Sequence, residues 1–323
     1  MIRLLLPAVL AVALAACAAP PPTAGAQEAR PDPLPGTRLS IDQLKAQMFH
    51  VSAGQRLKPS WPNGAKVAVG FSFDVDNATA TLSTGTIDYE IISRGEYGAI
   101  DGLPRILRLL DRQQIPASFF IPAVSAILHP QVIKDIQSAK QQHEIGVHGW
   151  IHELTTRLTE AEEERLLDQA IAYLTKATGK KPVGYRAPSW AFSGATLDLI
   201  LKKGFLYDSS LQALDEPYEV MSRGKNTGLV ELAIDWTLTE TPFLGQNGRM
   251  PSPELLYQLY RDEFDGAYNE GTMFVLTLHP YLSGHRAPMK HLEEFVAYMK
   301  SKPGVWFATG AQIADYVKTA TPR

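Results

Sequence analysis

The stretch "KVAVGFSFDVD" (residues 66–76) is a short β-rich run that ends in two aspartates. It is the first of eight such runs, and their arrangement along the chain predicts the fold class. Similar runs follow along the chain, at 117–123, 144–150, 183–189, 205–211, 229–236, 273–280 and 305–310. Amphipathic helical stretches, such as 103–113 and 160–179, lie between most of them. Thr159 and Glu162 predict a capping box at the start of the second stretch, and Gly179 predicts its end. This alternation of strands and helices is typical of a parallel sheet. About eight strands in one domain of ~260 residues predict an α/β barrel rather than an open sheet.

The N-terminal sequence predicts an export signal. Residues 1–16 combine Arg3 with an apolar run. The run is too short to span a membrane, because a spanning helix needs about 20 apolar residues. The sequence "LAAC" (14–17) resembles a bacterial lipobox and predicts that Cys17 is lipidated and becomes the mature N-terminus. An ordinary signal peptide that contains a cysteine is the alternative. Cys17 is the only cysteine, which excludes an intramolecular disulfide.

Residues 17–60 are predicted to connect this anchor to the catalytic domain. Residues 18–36 contain six prolines, a composition that predicts a tether. Ser40, with Gln43 three residues later, predicts the capped start of a short helical arm. Residues 61–323 are then one catalytic domain.

The charge pattern bears on possible partners. The formal net charge is −3, and removal of Arg3 with the signal leaves about −4. Because basic residues do not cluster, the sequence predicts no nucleic-acid partner.

Polar residues fall where the predicted strands end. They are Asp74 and Asp76 on the first strand, then His148, Arg186, Asp208, Asp235 and His279 on later ones. A barrel builds its active site at the carboxyl ends of its strands. Polar residues scattered evenly along the strands would be expected without a site, so the pattern predicts an active site.

The segment "HEIGVHGWIHE" (143–153) raises the question of a metal. His148 and His152 would share a face on one turn of helix and could reach one ion, although solvated or core histidines are the alternative. Neither H-E-x-x-H nor H-x-x-E-H is present, because Gly149 follows the first histidine and Ile151 precedes the second. A catalytic base must therefore come from elsewhere in the chain.

In this order the motifs resemble those of the polysaccharide deacetylase family, carbohydrate esterase family 4, over approximately residues 60–320. The matching segments are "SFDVD" (72–76), "HGWIHE" (148–153), "RAPSW" (186–190), "ELAIDW" (231–236) and "LTLHP" (276–280). The resemblance implies a distorted (β/α) barrel in a single catalytic domain. It also implies an enzyme that hydrolyses C–N bonds other than peptide bonds.

Two positions depart from the common pattern of the family. Val75 separates Asp74 from Asp76, a spacing similar to a branch with peptidoglycan-deacetylase-like and allantoinase-like members. In "WTLTETPF" (236–243), Thr239 and Glu240 stand where that branch often has two aspartates, which puts the usual substrate preference in doubt.

The resemblance assigns a role to each motif. Asp76, His148 and His152 would bind a divalent metal, with Zn²⁺ the first choice and Co²⁺, Ni²⁺, Mn²⁺ or Fe²⁺ as alternatives. Asp74 would be the base, or else a further ligand, and His279 the acid, or else a packed histidine. Arg186 would hold the carboxylate of Asp74 or Asp235. Trp190, Trp236 and Asp235 would line the substrate pocket, although both tryptophans could simply belong to the core.

Three functions follow as hypotheses. The first is a metal-dependent N-deacetylase of acetylated amino sugars in a cell-wall or extracellular polysaccharide, anchored by lipid outside the cytoplasm of a bacterium. The second is a hydrolase of a small linear or cyclic amide, such as an imide or ureide. The third is a non-catalytic glycan-binding lipoprotein, against which the complete set of acid, base and ligands argues.

Overall fold

One ten-stranded sheet organises the computed structural model, which describes residues 36–245 and 252–321. The predicted signal peptide, Cys17 and residues 18–35 of the tether therefore lie outside the described residues. The strands are β1 Val51–Arg56, β2 Val67–Asp74, β3 Ser118–Ile121, β4 Glu144–Val147, β5 Gly184–Tyr185, β6 Tyr207–Asp208, β7 Tyr218–Ser222, β8 Lys225–Glu231, β9 Met273–Leu278 and β10 Val305–Phe307.

The eight predicted strands are all present, and they pair with one another in parallel. Their order is β8-β6-β5-β4-β3-β2, and β2 also pairs with β10 and β9. Between β8 and β9 the described residues show only an isolated bridge, from Thr239 to Thr277. The sheet is thus a curled, incompletely closed barrel, and the predicted distorted (β/α) barrel is confirmed.

Two layers of apolar side chains bury β2 along its whole length. Val69, Phe71 and Phe73 belong to the larger core, which includes the outer helices. Ala68 packs in a second cluster with Ile313 of the C-terminal helix, inside the curve of the sheet. Successive side chains of a strand point to opposite faces. The inner face of β2 therefore leads through Ser72 to Asp74.

The sheet begins earlier in the chain than predicted. Residues 51–56 form β1, which pairs antiparallel with β7, and β7 pairs antiparallel with β8. The sheet therefore includes a strand before residue 61, where the sequence predicts that the catalytic domain begins. A half-exposed edge strand carries little apolar signal of its own, and only pairing with β7 reveals that it belongs to the sheet.

Helices alternate with most of the strands; those that contribute to the larger core cover the outer side of the sheet, whereas the C-terminal helix packs in the second cluster. The helices are α1 Ile41–Met48, α2 Thr79–Leu82, α3 Tyr89–Tyr97, α4 Leu103–Gln113, α5 Ala123–Leu128, α6 Gln131–Ser138, α7 Glu160–Thr178, α8 Thr196–Lys203, α9 Thr241–Leu244, α10 Pro253–Glu270, α11 Pro280–Ser283, α12 Arg286–Ser301 and α13 Gly310–Ala320.

The predicted helix ends are confirmed. Thr159 and Glu162 form a capping box at the start of α7, and Gly179 ends that helix in the left-handed conformation. Ser40 and Gln43 exchange the hydrogen bonds of a capping box before α1. The chain divides into two units at Leu44, and the unit from Lys45 onward contains the whole sheet. Among the described helices, none has the length and apolar character to cross a membrane.

Candidate metal centre and catalytic site

The carboxylates of Asp74 and Asp76 come from the end of β2. Because Val75 separates them, the alternation of an extended chain directs both carboxylates to the same side, the barrel interior. Both side chains are buried. The D-x-D spacing therefore places two acids side by side at the carboxyl end of the central strand.

The two histidines come from the loop after β4. This loop is not helical, so the one-turn helix considered from the sequence is wrong. Gly149 and His152 both adopt positive φ, at 74° and 64°. The carboxylate of Glu153 accepts hydrogen bonds from the amides of Trp150 and Ile151 and so closes the loop. A tight turn, rather than a helix face, brings His148 and His152 together.

Asp76, His148 and His152 form a cluster suited to a metal ion. One donor atom from each lies within 4.8 Å of the other two. His148 Nε2 is 3.5 Å from Asp76 Oδ1, and His152 Nε2 is 3.5 Å from Asp76 Oδ2. Asp76 Oδ1 is buried and has no hydrogen-bond donor within the described part of the chain. A buried carboxylate oxygen without a donor is costly unless a cation neutralises it, so the residues fit a divalent ion.

The state of the two imidazoles also suits ligation. Nδ1 of His148 lies 2.9 Å from the carbonyl oxygen of Arg186, which leaves Nε2 free to face Asp76. Burial lowers the pKa of His148 despite the neighbouring aspartates, and it lowers that of His152 to about 4. Both rings are therefore neutral near pH 7, as a metal ligand must be.

Asp74 is paired with a buried arginine. Arg186 Nη1 donates to Asp74 Oδ1 at 2.7 Å, and its guanidinium lies 4.2 Å from the centre of the Phe120 ring. Burial raises the pKa of Asp74, but Arg186 and the nearby histidines outweigh burial and hold the pKa below its usual value. Of the two partners considered for Arg186, the structure shows Asp74. Asp235 instead accepts hydrogen bonds from Thr237.

His279 lies next to Asp76 and has a partner that the sequence did not reveal. Its Nε2 is 3.6 Å from Asp76 Oδ2, and its Nδ1 is 3.1 Å from Glu240 Oε2. Glu240 is wholly buried and also accepts hydrogen bonds from the His279 amide and the Ser283 hydroxyl. Burial lowers the pKa of His279, but Glu240 and the aspartates outweigh it and raise the pKa to about 9.

In the sequence, Glu240 stands where the related branch of the family often has an aspartate. The signal that could have identified it is that the residue at this position is still acidic. From the sequence alone, the change from aspartate to glutamate is interpreted as a difference in substrate preference. The structure instead shows the Glu240 carboxylate next to the imidazole of His279.

Trp190 and Trp236 contact each other. Their ring centres are 4.3 Å apart with the planes inclined by 60°. Half of the surface of Trp236 is exposed. Ser189 and Trp190 both have positive φ, at 52° and 55°, so the backbone is strained where the arginine motif ends. The role predicted for Trp190, Trp236 and Asp235 in a substrate pocket stays a prediction.

The fold and this centre define a class of protein: an α/β barrel with an Asp-His-His cluster suited to a metal ion, next to an aspartate of lowered pKa and a histidine of raised pKa. Comparisons with known proteins agree with that class. The polysaccharide deacetylase family model matches residues 96–207. A peptidoglycan deacetylase of Helicobacter pylori is 31% identical over 290 residues, which cover 80% of this chain and 98% of that protein.

Solved structures extend the comparison to the fold. A structure from Mycobacterium smegmatis assigned as a polysaccharide deacetylase is 36% identical, with a TM-score of 0.76, and covers 84% of this chain and 98% of its own. Puue allantoinase is 26% identical, with a TM-score of 0.74, over 84% of this chain and 96% of its own. The chain belongs to the polysaccharide deacetylase family. It is accordingly a hydrolase that acts on carbon–nitrogen bonds.

Proposed function

We propose that this protein is a metal-dependent N-deacetylase of acetylated amino sugars in a cell-wall or extracellular polysaccharide. The observation that carries the proposal is the grouping of three candidate metal ligands with a candidate base and a candidate acid. Asp74, the partner of Arg186, lies 3.8 Å from His148 Nε2, and His279, the partner of Glu240, lies 3.6 Å from Asp76 Oδ2. The likeness to a peptidoglycan deacetylase over most of the chain supports a glycan substrate.

Asp74 and His279 have different roles in amide hydrolysis. Asp74, kept ionised by Arg186, accepts the proton of the attacking water. His279, kept protonated beside Glu240, donates a proton to the nitrogen as the C–N bond breaks, so that acetate and a free amine leave. When bound at Asp76, His148 and His152, a divalent ion supplies Lewis-acid chemistry, polarising the carbonyl and lowering the pKa of water.

Zinc is the metal we propose. Two imidazoles and one carboxylate leave a coordination position open for substrate or water, as in catalytic rather than structural zinc sites. The same donors suit Co²⁺, Ni²⁺, Mn²⁺ and Fe²⁺. Elemental analysis of the purified protein identifies the ion.

A second candidate function is hydrolysis of a small linear or cyclic amide. The likeness to an allantoinase structure at a TM-score of 0.74 favours it. The decisive experiment measures acetate release from a panel of N-acetylated glycans, beside ammonia release and ring opening with ureides and imides. Acetate release from a glycan would support the first function, whereas activity on imides or ureides alone would support the second.

We also propose that Cys17 carries a lipid that anchors the enzyme to a membrane outside the cytoplasm. The support is "LAAC" (14–17), followed by the proline-rich residues 18–36. Mass spectrometry of the mature N-terminus tests this. Cys17→Ser should release the enzyme from membranes without changing kcat, and an unmodified N-terminus at another residue would contradict the anchor.

A further inference from the structure

Two acidic side chains stand next to each other inside the sheet, away from the metal ligands. Asp208 on β6 and Glu231 on β8 are register partners on neighbouring parallel strands. Both have 0% of their surface exposed. Two ionised carboxylates in such a place would repel each other and would lack solvation, so one of them has to hold a proton.

The hydrogen bonds of the two carboxyl groups show where this proton fits. Asp208 Oδ1 accepts from the Ser210 hydroxyl at 2.7 Å, and Glu231 Oε1 accepts from the amides of Ser210 and Leu211 at 2.9 and 3.0 Å. The second oxygens, Asp208 Oδ2 and Glu231 Oε2, are buried and have no such donor within the described ranges. A proton on one of them provides the missing hydrogen bond to the other.

The surrounding charges favour a single proton on the two groups. Burial raises the pKa of Asp208 to about 6, while burial and Asp208 together raise that of Glu231 well above its usual value. Arg186 lowers the pKa of Asp208 from the end of β5. Tyr185 and Tyr218 also face the two acids, but burial raises the pKa of each phenol, so both stay neutral. Glu231 is the more basic member of the pair.

This carboxyl pair holds the turn at Ser209 and Ser210, which accepts hydrogen bonds from Arg186. Arg186 Nε donates to the Ser209 carbonyl and Nη2 to the Ser209 hydroxyl, both at 2.8 Å. The Ser210 hydroxyl, which donates to Asp208, accepts from the Ala187 amide at 2.8 Å. A continuous set of hydrogen bonds therefore runs from the carboxyl pair through the turn to the guanidinium that contacts Asp74.

We propose that Asp208 and Glu231 share one proton and act as positioning residues, which hold Arg186 against the catalytic base through the Ser209–Ser210 turn. The inference rests on the proposed role of Asp74 as base. It does not depend on which amide or glycan is the substrate.

Two measurements on the full-length protein test the proposal. Infrared difference spectra between wild type and Glu231→Gln at neutral pH should show the C=O stretch of a protonated carboxylic acid that the variant lacks. Absence of this band would overturn the shared proton. Because the spectra need no substrate, this result is independent of the proposed deacetylase function.

Turnover of an aryl acetate ester tests the positioning role. Glu231→Ala should lower kcat by about 100-fold with metal content unchanged, the loss expected when a catalytic group shifts by about 1 Å. Glu231→Gln should recover most of this loss, because its amide can donate to Asp208 Oδ2 while its carbonyl accepts from the turn. Equal loss in the two variants would overturn the role.

Two further variants keep the test decisive. Ser210→Ala leaves both carboxyl groups in place and removes the link from Asp208 to the Ala187 amide, so kcat should fall even if Glu231→Ala does not fold. Glu144→Gln is the matched control. Glu144 bonds to Tyr207, the neighbour of Asp208, but its other partners are Ser118 and Ala311, away from the turn. Its kcat should stay at the wild-type value, and a comparable loss would point to a general packing effect.

Discussion

At the scale of single residues, charged partners decide what each titratable group can do. Asp74 and His279 both lie near Asp76, yet their pKa values move in opposite directions from one another. Arg186 keeps the aspartate ionised and Glu240 keeps the histidine protonated. Two groups with pKa values separated in this way are suited to act as base and acid at the same pH.

Glu240→Gln tests the acid. His279 acts while protonated, so activity should be lost as the pH rises through its folded pKa, which Glu240 raises to about 9. Removing the negative charge lowers this pKa, with or without a bound metal. The alkaline limb of the kcat/KM profile should therefore move to lower pH. Ser283→Ala removes one hydrogen bond of Glu240 but no charge, and it should leave the limb in place; an unshifted limb in Glu240→Gln would exclude the assigned role.

Asp74→Asn tests the base. The change removes a proton acceptor but none of the three clustered donors, so metal content should remain near that of the wild type. Turnover should fall by about 10²- to 10⁴-fold, the usual contribution of a general base. Asp76→Asn is the comparison, in which metal and activity should be lost together. Loss of metal from Asp74→Asn would show that Asp74 is a ligand instead.

At the scale of elements, one tight loop prepares the two histidines. Residues 148–153 turn back within six positions because Gly149 has positive φ and Glu153 bonds to the loop amides. A Cβ at Gly149 would lie 2.8 Å from Cγ of Pro188. The loop after β4 and the loop after β5 are therefore packed directly against each other.

Gly149→Ala should reduce both stability and metal content. A non-glycine residue in the left-handed region costs about 1–2 kcal/mol, and the contact with Pro188 adds to this cost. Gly179→Ala is a matched control, because φ there is +75° and nothing lies within 4 Å of the added carbon. It should lose only the stability that the left-handed conformation costs, and it should bind metal normally. Thermal unfolding with elemental analysis measures both effects, and equal metal content in the two variants would contradict the account.

At the scale of the whole molecule, the sheet assembles the metal centre. Asp76 follows β2, the histidines follow β4, and β3 pairs with both strands between them. Since more than seventy positions separate the aspartate from His148 along the chain, an unfolded chain cannot present the three ligands together. Binding of an ion and folding of the barrel should therefore be linked.

Adding zinc to chelator-treated protein should raise the thermal unfolding midpoint and restore activity. At a free concentration of 100 times Kd, linkage adds about 2.7 kcal/mol to the free energy of unfolding. His148→Ala and His152→Ala should show neither response, whereas His143→Ala should behave as the wild type. Full activity in protein that elemental analysis shows to be free of metal would defeat the metal-dependent mechanism.

Much of the fold follows from local patterns in the sequence. The eight parallel strands coincide with short β-rich runs, and α7 is capped by Thr159 and Gly179 as predicted. These features depend on nearby residues: the apolar character of a buried strand, the side chain that caps a helix, and a glycine that accepts positive φ. The ordered motifs also indicate Asp76, His148 and His152 as candidate ligands, because each motif is a short run of adjacent residues.

Only the tertiary structure decided which groups meet. It pairs Arg186 with Asp74 rather than Asp235, and His279 with Glu240. It also adds β1 and β7 to the sheet and places Asp208 beside Glu231. Each of these contacts joins residues from separate strands or loops, and depends on strand order, register and the path of loops that packing selects. A sequence specifies the chemical character of each side chain locally, but its neighbours in space are decided by the burial of the whole chain.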